Sequence, residues 1–266
     1  MQHKPKKRLG QHFLVDENIQ RKIIAHCQFS ASDIVLEIGA GSGVMTRQIA
    51  PCVKKLFALE IDRSLVPTLE SIAQEYSSVH VINADFLTFN LASLFKTHAK
   101  IKVFGNIPYY ITTAIIERLL SFHKNIEIVF LTVQKDFALR ITAQPGSKQY
   151  GAFSCFVQYY THPAMLFTIK RNSFFPAPSV DSALLRLAMN DALPLRPTEE
   201  KILFSLIRTA FQQRRKMLSN TLAKMVPSEK LALFFKKNSL DERIRPEQLS
   251  LTHFLQLAKG YVSKKK

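Results

Sequence analysis

The sequence predicts an α/β fold: a doubly wound, largely parallel sheet followed by a small helical domain. Three observations carry this. Between Asp33 and Val133 short apolar runs alternate with helix-like segments. The first of those runs ends in a cluster of glycines, as a strand does when it turns tightly into a helix. Beyond Pro194 and Pro197 the pattern becomes helical. The expected domains are residues 1–190, opening on a basic arm over 1–12, and a basic helical domain over 191–266.

In order, residues 34–38 form an apolar strand and 44–50 a helix. A strand over 55–61 and a helix over 63–76 follow, then a strand over 79–83 that runs into Asp85. Residues 101–104 are a strand that stops at Gly105, and 112–121 a helix. The series closes with a strand over 126–133 and a helix over 135–143. In such a sheet ligands bind beyond the carboxyl ends of the strands. After Pro145-Gly146 the texture changes: 152–161, 164–170 and 182–189 read as β-segments that extend the sheet with an antiparallel edge. Residues 198–213 read as a helix with Thr198 as its N-cap and Glu199-Glu200 in the first turn. Further helices are expected over 229–236 and 246–259, and Lys264-Lys265-Lys266 as a frayed tail.

The 266 residues are 47% hydrophobic, enough for one large domain and a smaller one. No run is long enough to span a bilayer. The basic start, Met1 to Arg8, is followed by no apolar segment, so a cytoplasmic location is expected. Cys27, Cys52 and Cys155 are widely spaced, and the eight histidines show no ligand spacing. Neither a disulfide framework nor a metal site is expected, and the cysteines are read as small core residues. The net charge is +17, and the last 76 residues carry 16 Lys/Arg against 7 Asp/Glu. Such a balance favours a polyanion, nucleic acid first. No amphipathic Lys/Arg helix points to a membrane surface.

The first strand runs into Glu37-Ile38-Gly39-Ala40-Gly41-Ser42-Gly43. Glycines at such a turn let backbone approach a nucleoside ligand, and the absence of a following Lys-Ser/Thr pair excludes a P-loop. Glu60 closes the second strand 21 residues after Gly39, where a carboxylate accepts from ribose hydroxyls. Two cofactors remain open, a nicotinamide dinucleotide and S-adenosylmethionine. Asp85, able to accept from an adenine amino group, and Phe86, able to pack on its ring, favour the second. So does Glu37, since a carboxylate suits a sulfonium and an ammonium better than a pyrophosphate. The plainer alternatives are a tight turn at the glycines and a loop cap at Asp85.

Asn106-Ile107-Pro108-Tyr109 follows the fourth strand. An exocyclic aromatic amine is a poor nucleophile because its lone pair is delocalised. Two acceptors on its hydrogens favour a pyramidal nitrogen and aim the lone pair at a methyl donor. The Asn106 side-chain carbonyl is one acceptor. The Ile107 backbone carbonyl, held by the fixed φ of Pro108, is the other. Tyr109 offers a flat face to an extruded base.

These four residues resemble the signature of S-adenosylmethionine-dependent adenine-N6 methyltransferases. Arg8-Leu9-Gly10-Gln11-His12-Phe13-Leu14 resembles the amino-terminal motif of the small-subunit rRNA adenine dimethyltransferase family (the KsgA/RsmA type). Phe174-Phe175-Pro176-Ala177-Pro178-Ser179-Val180-Asp181-Ser182 and Ala210-Phe211-Gln212-Gln213-Arg214-Arg215-Lys216-Met217-Leu218 resemble two more of its motifs. The matches run in the family's order from residue 8 to about 222. The resemblance implies a Rossmann-like methyltransferase sheet and an enzyme of ribosome small-subunit biogenesis. It would dimethylate N6 of two adjacent adenines in the 3′-terminal hairpin of 16S rRNA, on an immature 30S subunit, using four S-adenosylmethionine molecules. It places His12, Leu14, Gly39 and Gly41 at the cofactor, Glu60 on its ribose, Asp85 on its adenine and Asn106 near the methyl. It makes Phe174 the wall of the base site opposite Tyr109. Two positions depart from the family: His12 and Tyr110 stand where Asn is common. His12 can donate and accept as Asn does, and adds a titratable group.

Lys4, Lys6, Lys7 and Arg8 form an arm of the kind that orders on an anionic partner. Arg214, Arg215 and Lys216, expected within or just after a helix, read as phosphate contacts that position RNA. A merely solvated face is the plainer reading of both. The chain is read as a monomer. Rival readings are a large-subunit rRNA methylase of macrolide resistance, an RNA-binding assembly factor, a DNA adenine methylase and a nicotinamide oxidoreductase. The last offers no account of Tyr109 or of the charge.

Overall fold

The computed structural model describes residues 4–95 and 100–262, so the expected frayed tail at Lys264–Lys266 lies outside the described residues. The chain divides by its contacts into two units, Met1–Ala138 with His162–Met189, and Leu139–Thr161 with Asn190–Lys266. Residues 139–161 thus join the second unit, whereas the sequence reading kept them with the first.

The first unit opens on a two-residue strand, β1 (Phe13–Leu14), and α1 (Glu17–Cys27). Asp16 caps α1 by accepting from the Asn18 and Ile19 amides at 3.0 and 3.2 Å. Neither element is anticipated above, although Ile19, Ile23 and Cys27 follow helical spacing. The alternating series then appears as β2 (Ile34–Ile38), α2 (Val44–Ile49), β3 (Lys55–Glu60), α3 (Val66–Glu75) and β4 (Val79–Asn83). It continues through α4 (Ala92–Phe95), β5 (Ile101–Asn106), α5 (Thr112–Ser121), β6 (Ile126–Gln134) and α6 (Lys135–Ile141). β7 (Thr161–Ile169), β8 (Phe174–Phe175) and β9 (Ser182–Met189) complete the strands.

Seven strands form one sheet in the order β4-β3-β2-β5-β6-β9-β7. β2 through β6 pair in parallel, and β9 runs antiparallel to β6. Central strands of a parallel sheet are covered on both faces, which explains their unbroken apolar runs. Leu36, Leu56, Val103 and Leu131 are fully buried, each worth about 1.5–3 kcal/mol against exposure. The strand order reverses between β2 and β5. Ile38 is level with Leu59 of β3 and with Gly105 of β5, so the carboxyl ends of three strands meet at that switch point. A separate two-stranded sheet joins β1 to β8, pairing Phe13 with Phe175 and Leu14 with Phe174.

The second unit is helical, and here the sequence reading needs correction. Residues 152–161, expected as a strand, form α7 (Ala152–Tyr160). Its aromatic residues favour strands intrinsically, but they meet at helical spacing: Phe153 with Phe156 at 5.8 Å and Phe156 with Tyr160 at 5.4 Å. α8 (Pro197–Gln212) starts one residue earlier than expected, with Arg196 rather than Thr198 at its N-cap. Pro197 occupies the first turn, where its missing N–H costs nothing. α9 (Leu218–Leu222) and α10 (Ser228–Lys237) follow. The expected helix over 246–259 is a short 3-10 turn at Pro246–Gln248 and then α11 (Leu251–Val262). Tyr159 and Tyr160 donate to the Glu200 carboxylate at 3.2 and 2.6 Å, tying α7 to α8.

Candidate active site

A cavity of about 340 Å³ opens at the switch point of the sheet. Its wall is made by the arm before β1, the glycine turn after β2, the end of β3, the loop after β4 and the loop after β5. This is the size and place of a small-molecule site in an open α/β sheet. Among the described residues no helix is long and apolar enough to cross a membrane.

The glycine turn needs its glycines. Gly39 and Gly41 have φ of 72° and 59°, and a Cβ on Gly41 would stand 3.1 Å from the Phe13 ring. The Gly39 and Ala40 amides donate to the Leu59 carbonyl at 2.8 and 3.1 Å, which fastens the turn to β3.

Three carboxylates lie buried around this turn. Glu60 accepts from the Gly41 amide at 2.8 Å and the Asp62 amide at 2.7 Å, one on each oxygen. Burial pushes its pKa up against these donors. Each oxygen keeps acceptor capacity for a further hydroxyl. Glu37 accepts from the Thr46 hydroxyl at 2.7 Å, and burial pushes it up to about 8. Asp62 is the opposite case. Burial alone would raise it, but Lys6 Nζ at 2.5 Å, the Ser64 hydroxyl and amide, and Gln11 Nε2 at 3.0 Å hold it well below the usual carboxylate range.

Lys6, read from the sequence as an RNA contact, places its ammonium on Asp62 and Ser64, with a side chain about one-third exposed. The expected loose arm is instead a short 3-10 turn, Lys7–Leu9, pinned at Lys6 and Gln11. Lys7 and Arg8 remain exposed.

Asp85 lines the cavity and caps its own loop, accepting from the Leu87 amide at 2.8 Å on one oxygen. Asn106 donates from Nδ2 to the His12 carbonyl at 2.9 Å. A carbonyl can only accept, so this contact fixes which way the amide points and leaves Oδ1 as its acceptor. Pro108, at φ −61° and ψ 134°, sets the bend that carries the chain from Ile107 to Tyr109. The Tyr109 hydroxyl pairs with Ser182 Oγ at 2.5 Å, and its ring stacks on His12 at 5.9 Å and 17°. His12 Nδ1 donates to the Pro176 carbonyl at 2.6 Å. Leu14 also lines the cavity, from the buried side.

Phe174, expected as the wall of the base site opposite Tyr109, does not line the cavity. It is 3% exposed and packs in the core with Leu14, Ile169 and Leu184, outside the cavity wall. Strand alternation turns its neighbour Phe175 outward instead, at 61% exposure. In the second unit Arg214, Arg215 and Lys216 occupy the turn just after α8. All three are exposed, and Arg214 donates to the Lys148 and Tyr150 carbonyls at 3.1 and 2.9 Å.

Sequence reasoning assigned no role to Gln11, Asp62 or Ser182. Gln11 and Ser182 stand inside motifs quoted above, Arg8–Leu14 and Phe174–Ser182, and Asp62 lies two residues after Glu60; that adjacency is the available clue.

Comparison with known proteins gives one answer. The sequence pattern described as ribosomal RNA adenine dimethylase matches residues 2–262. Relatives named ribosomal RNA small subunit methyltransferase A include one from Levilactobacillus brevis. It is 38% identical over 265 residues, covering 96% of this chain and 90% of the relative. Another, from Lachnoclostridium phytofermentans, is 39% identical over 260 residues, covering 95% and 90%. Among solved structures, a dimethyladenosine transferase from Plasmodium falciparum superposes with a TM-score of 0.79 at 25% identity, over 92% of this chain and 96% of that one. The 23S rRNA methyltransferase ErmE shares the fold with the same TM-score at 23% identity, over 93% and 98%. With a match over nearly its whole length and relatives this similar, the chain belongs to the ribosomal RNA adenine dimethylase family.

Proposed function

We propose that this chain transfers methyl groups from S-adenosylmethionine to N6 of two adjacent adenines in the 3′-terminal hairpin of small-subunit rRNA, on an immature 30S subunit in the cytoplasm. The observation that carries this reading is the Asn106 amide. Its nitrogen is committed to the His12 carbonyl, which leaves Oδ1 as an acceptor on a residue of the cavity wall.

The residues present fit this cofactor. A glycine turn with three positive-φ glycines admits a nucleoside, Glu60 has acceptor capacity for ribose hydroxyls, and Glu37 is a buried carboxyl at the same wall. Bound there, S-adenosylmethionine would supply the methyl and a sulfur that takes the electron pair of the broken S–C bond. In the first transfer Asn106 Oδ1 and the Ile107 carbonyl accept from the two N6 hydrogens, and in the second one of them accepts from the single N6 hydrogen that remains, so the nitrogen lone pair is aimed rather than left in the ring. Tyr109 supplies a stacking face, its ring angle set by Ser182 and His12. Asp85, which lines the cavity, would accept from the cofactor's adenine amino group. The alkylated nitrogen is acidic and gives up its proton to water, so no strong general base is required. Lys7, Arg8, Arg215 and Lys216 are exposed cations suited to phosphate.

The test is transfer from labelled S-adenosylmethionine to immature 30S subunits, beside 50S subunits and duplex DNA, with digestion to nucleosides. Label in N6,N6-dimethyladenosine from the 30S sample alone is expected. Label in 50S or DNA, or none in any sample, overturns the proposal.

A further inference from the structure

Two aromatic rings face solvent in the sheet unit. Tyr110 is 67% exposed and Phe175 is 61% exposed, and no other Phe or Tyr among the described residues is exposed. A ring left in water forgoes the burial that favours most aromatic side chains, and each of these two is tied to a segment of the candidate site.

Both are held in place from behind. Tyr110 follows Tyr109 directly and lines the cavity. Its ring rests against Gly10: a Cβ there would come within 3.1 Å of Tyr110 Cε1 and 3.3 Å of Pro108 Cβ. Gly10, at φ +60°, thus makes room for the ring while the rest of it stays open. Phe175 is opposite Phe13 in the β1–β8 pair, and the next carbonyl, of Pro176, accepts from His12. His12 in turn stacks on Tyr109. Each exposed ring is therefore anchored to a segment that also positions the Tyr109 ring.

An enzyme that draws a base out of its stack leaves the neighbouring bases without stacking partners. Aromatic side chains replace those partners without regard to sequence, because every base has a flat face. Lys7 and Arg8, exposed in the arm that carries Gly10, offer charge to the same strand's phosphates. We propose that Tyr110 and Phe175 are stacking platforms for the unpaired bases that flank the target adenine. The proposal rests on the reading of this site as one for RNA adenine transfer, and it names how the strand is gripped there.

The experiment is steady-state transfer to immature 30S subunits by wild type, Tyr110→Ala, Tyr110→Phe, Phe175→Leu and the Tyr110→Ala/Phe175→Leu double variant, with S-adenosylmethionine binding measured separately. Loss of one stacked base is expected to raise the KM for 30S subunits on the order of tenfold for Tyr110→Ala and for Phe175→Leu. The kcat and the cofactor Kd should move less than about twofold, and Tyr110→Phe, which keeps the ring, should restore the wild-type KM. An unchanged KM in the double variant overturns the proposal while wild-type transfer still stands. So does a joint loss of kcat and cofactor binding in Tyr110→Ala, which would make Tyr110 part of the cavity's frame. Absence of transfer by wild type itself would remove the underlying function, and is recognised without any variant.

Discussion

The cavity of the sheet unit and the basic turn of the helical unit are built in opposite ways. Around the cavity the polar side chains are held by partners: both Glu60 oxygens by amides, Asp62 at its edge by Lys6, Gln11 and Ser64, Asn106 by His12, Tyr109 by Ser182. At the turn after α8, Arg214 is anchored to two carbonyls, while Arg215 and Lys216 stand exposed beside it. Chemistry that depends on alignment needs groups whose positions are settled before the substrate arrives. Attraction of a phosphate chain needs only charge in reach, since the energy comes largely from counterion release. The cavity should therefore control the rate of transfer, and the turn the affinity for RNA.

The largest expected effect is at Asn106. Asn106→Ala should lower the transfer rate by roughly 10²–10³-fold, the scale of losing one preorganised polar contact to the reacting group. S-adenosylmethionine binding, read by calorimetry, should stay within about threefold. A comparable loss in both would make Asn106 a cofactor ligand only.

At the turn, Arg215→Ala with Lys216→Ala should weaken 30S binding and lower the slope of log affinity against log salt by up to about 2. An unaltered slope would mean that the two cations are merely solvated. Arg214→Ala should behave differently, costing thermal stability through its two carbonyl partners.

The Lys6–Asp62 contact sharpens the first half of the comparison, because it shows tying at the edge of the cavity. Asp62 has a pKa below its unfolded value, so its contribution to stability is full above the ordinary Asp range and fades as pH falls through the folded value. Lys6→Met should lower Tm at neutral pH and flatten its acid limb. A Tm profile parallel to that of wild type would show the contact to be idle.

Tyr109→Phe removes the partner of a fully buried Ser182 hydroxyl, at a cost of about 1–3 kcal/mol in denaturant unfolding. Adding Ser182→Ala should recover most of it. If stacking is the role of Tyr109, transfer survives in Tyr109→Phe and falls in Tyr109→Ala.

The smallest effect concerns Glu37. With its carboxyl raised to about 8, the free protein holds a proton there at neutral pH. A cationic cofactor at the same wall favours the ionised form. Binding should then release a proton, and affinity should rise with pH up to about 8 and level off above it. Calorimetry in two buffers of different ionisation enthalpy reads the proton directly; equal heats in both would contradict this placement of Glu37.

The parts that the sequence made legible are those where one residue type meets one backbone demand. β2, β4 and β5 read as strands because each is a largely apolar run that ends at glycine or Asn. The Asn106 loop is legible because an amide, a proline and a tyrosine at a strand end serve no plain turn. What stayed hidden depends on partners far along the chain. Lys6 and Asp62 are 56 positions apart, and nothing local to either shows that the lysine turns inward. The adjacent Phe174 and Phe175 differ only in parity. Which one is buried follows from the pairing of β8 with β1, and both strands are two residues long. α7 was misread for a related reason: its aromatic residues fit a strand, and only their packing against one another selects the helix.

The most direct test is single-turnover methyl transfer with both S-adenosylmethionine and immature 30S subunits saturating, comparing wild type, Asn106→Ala and Arg215→Ala/Lys216→Ala. Saturation removes differences in affinity and leaves alignment. The account predicts that the basic-turn variant matches wild type while Asn106→Ala is at least about a hundredfold slower. A slow basic-turn variant, or an Asn106→Ala enzyme at the wild-type rate, would contradict the division between a preset cavity and an exposed charged turn.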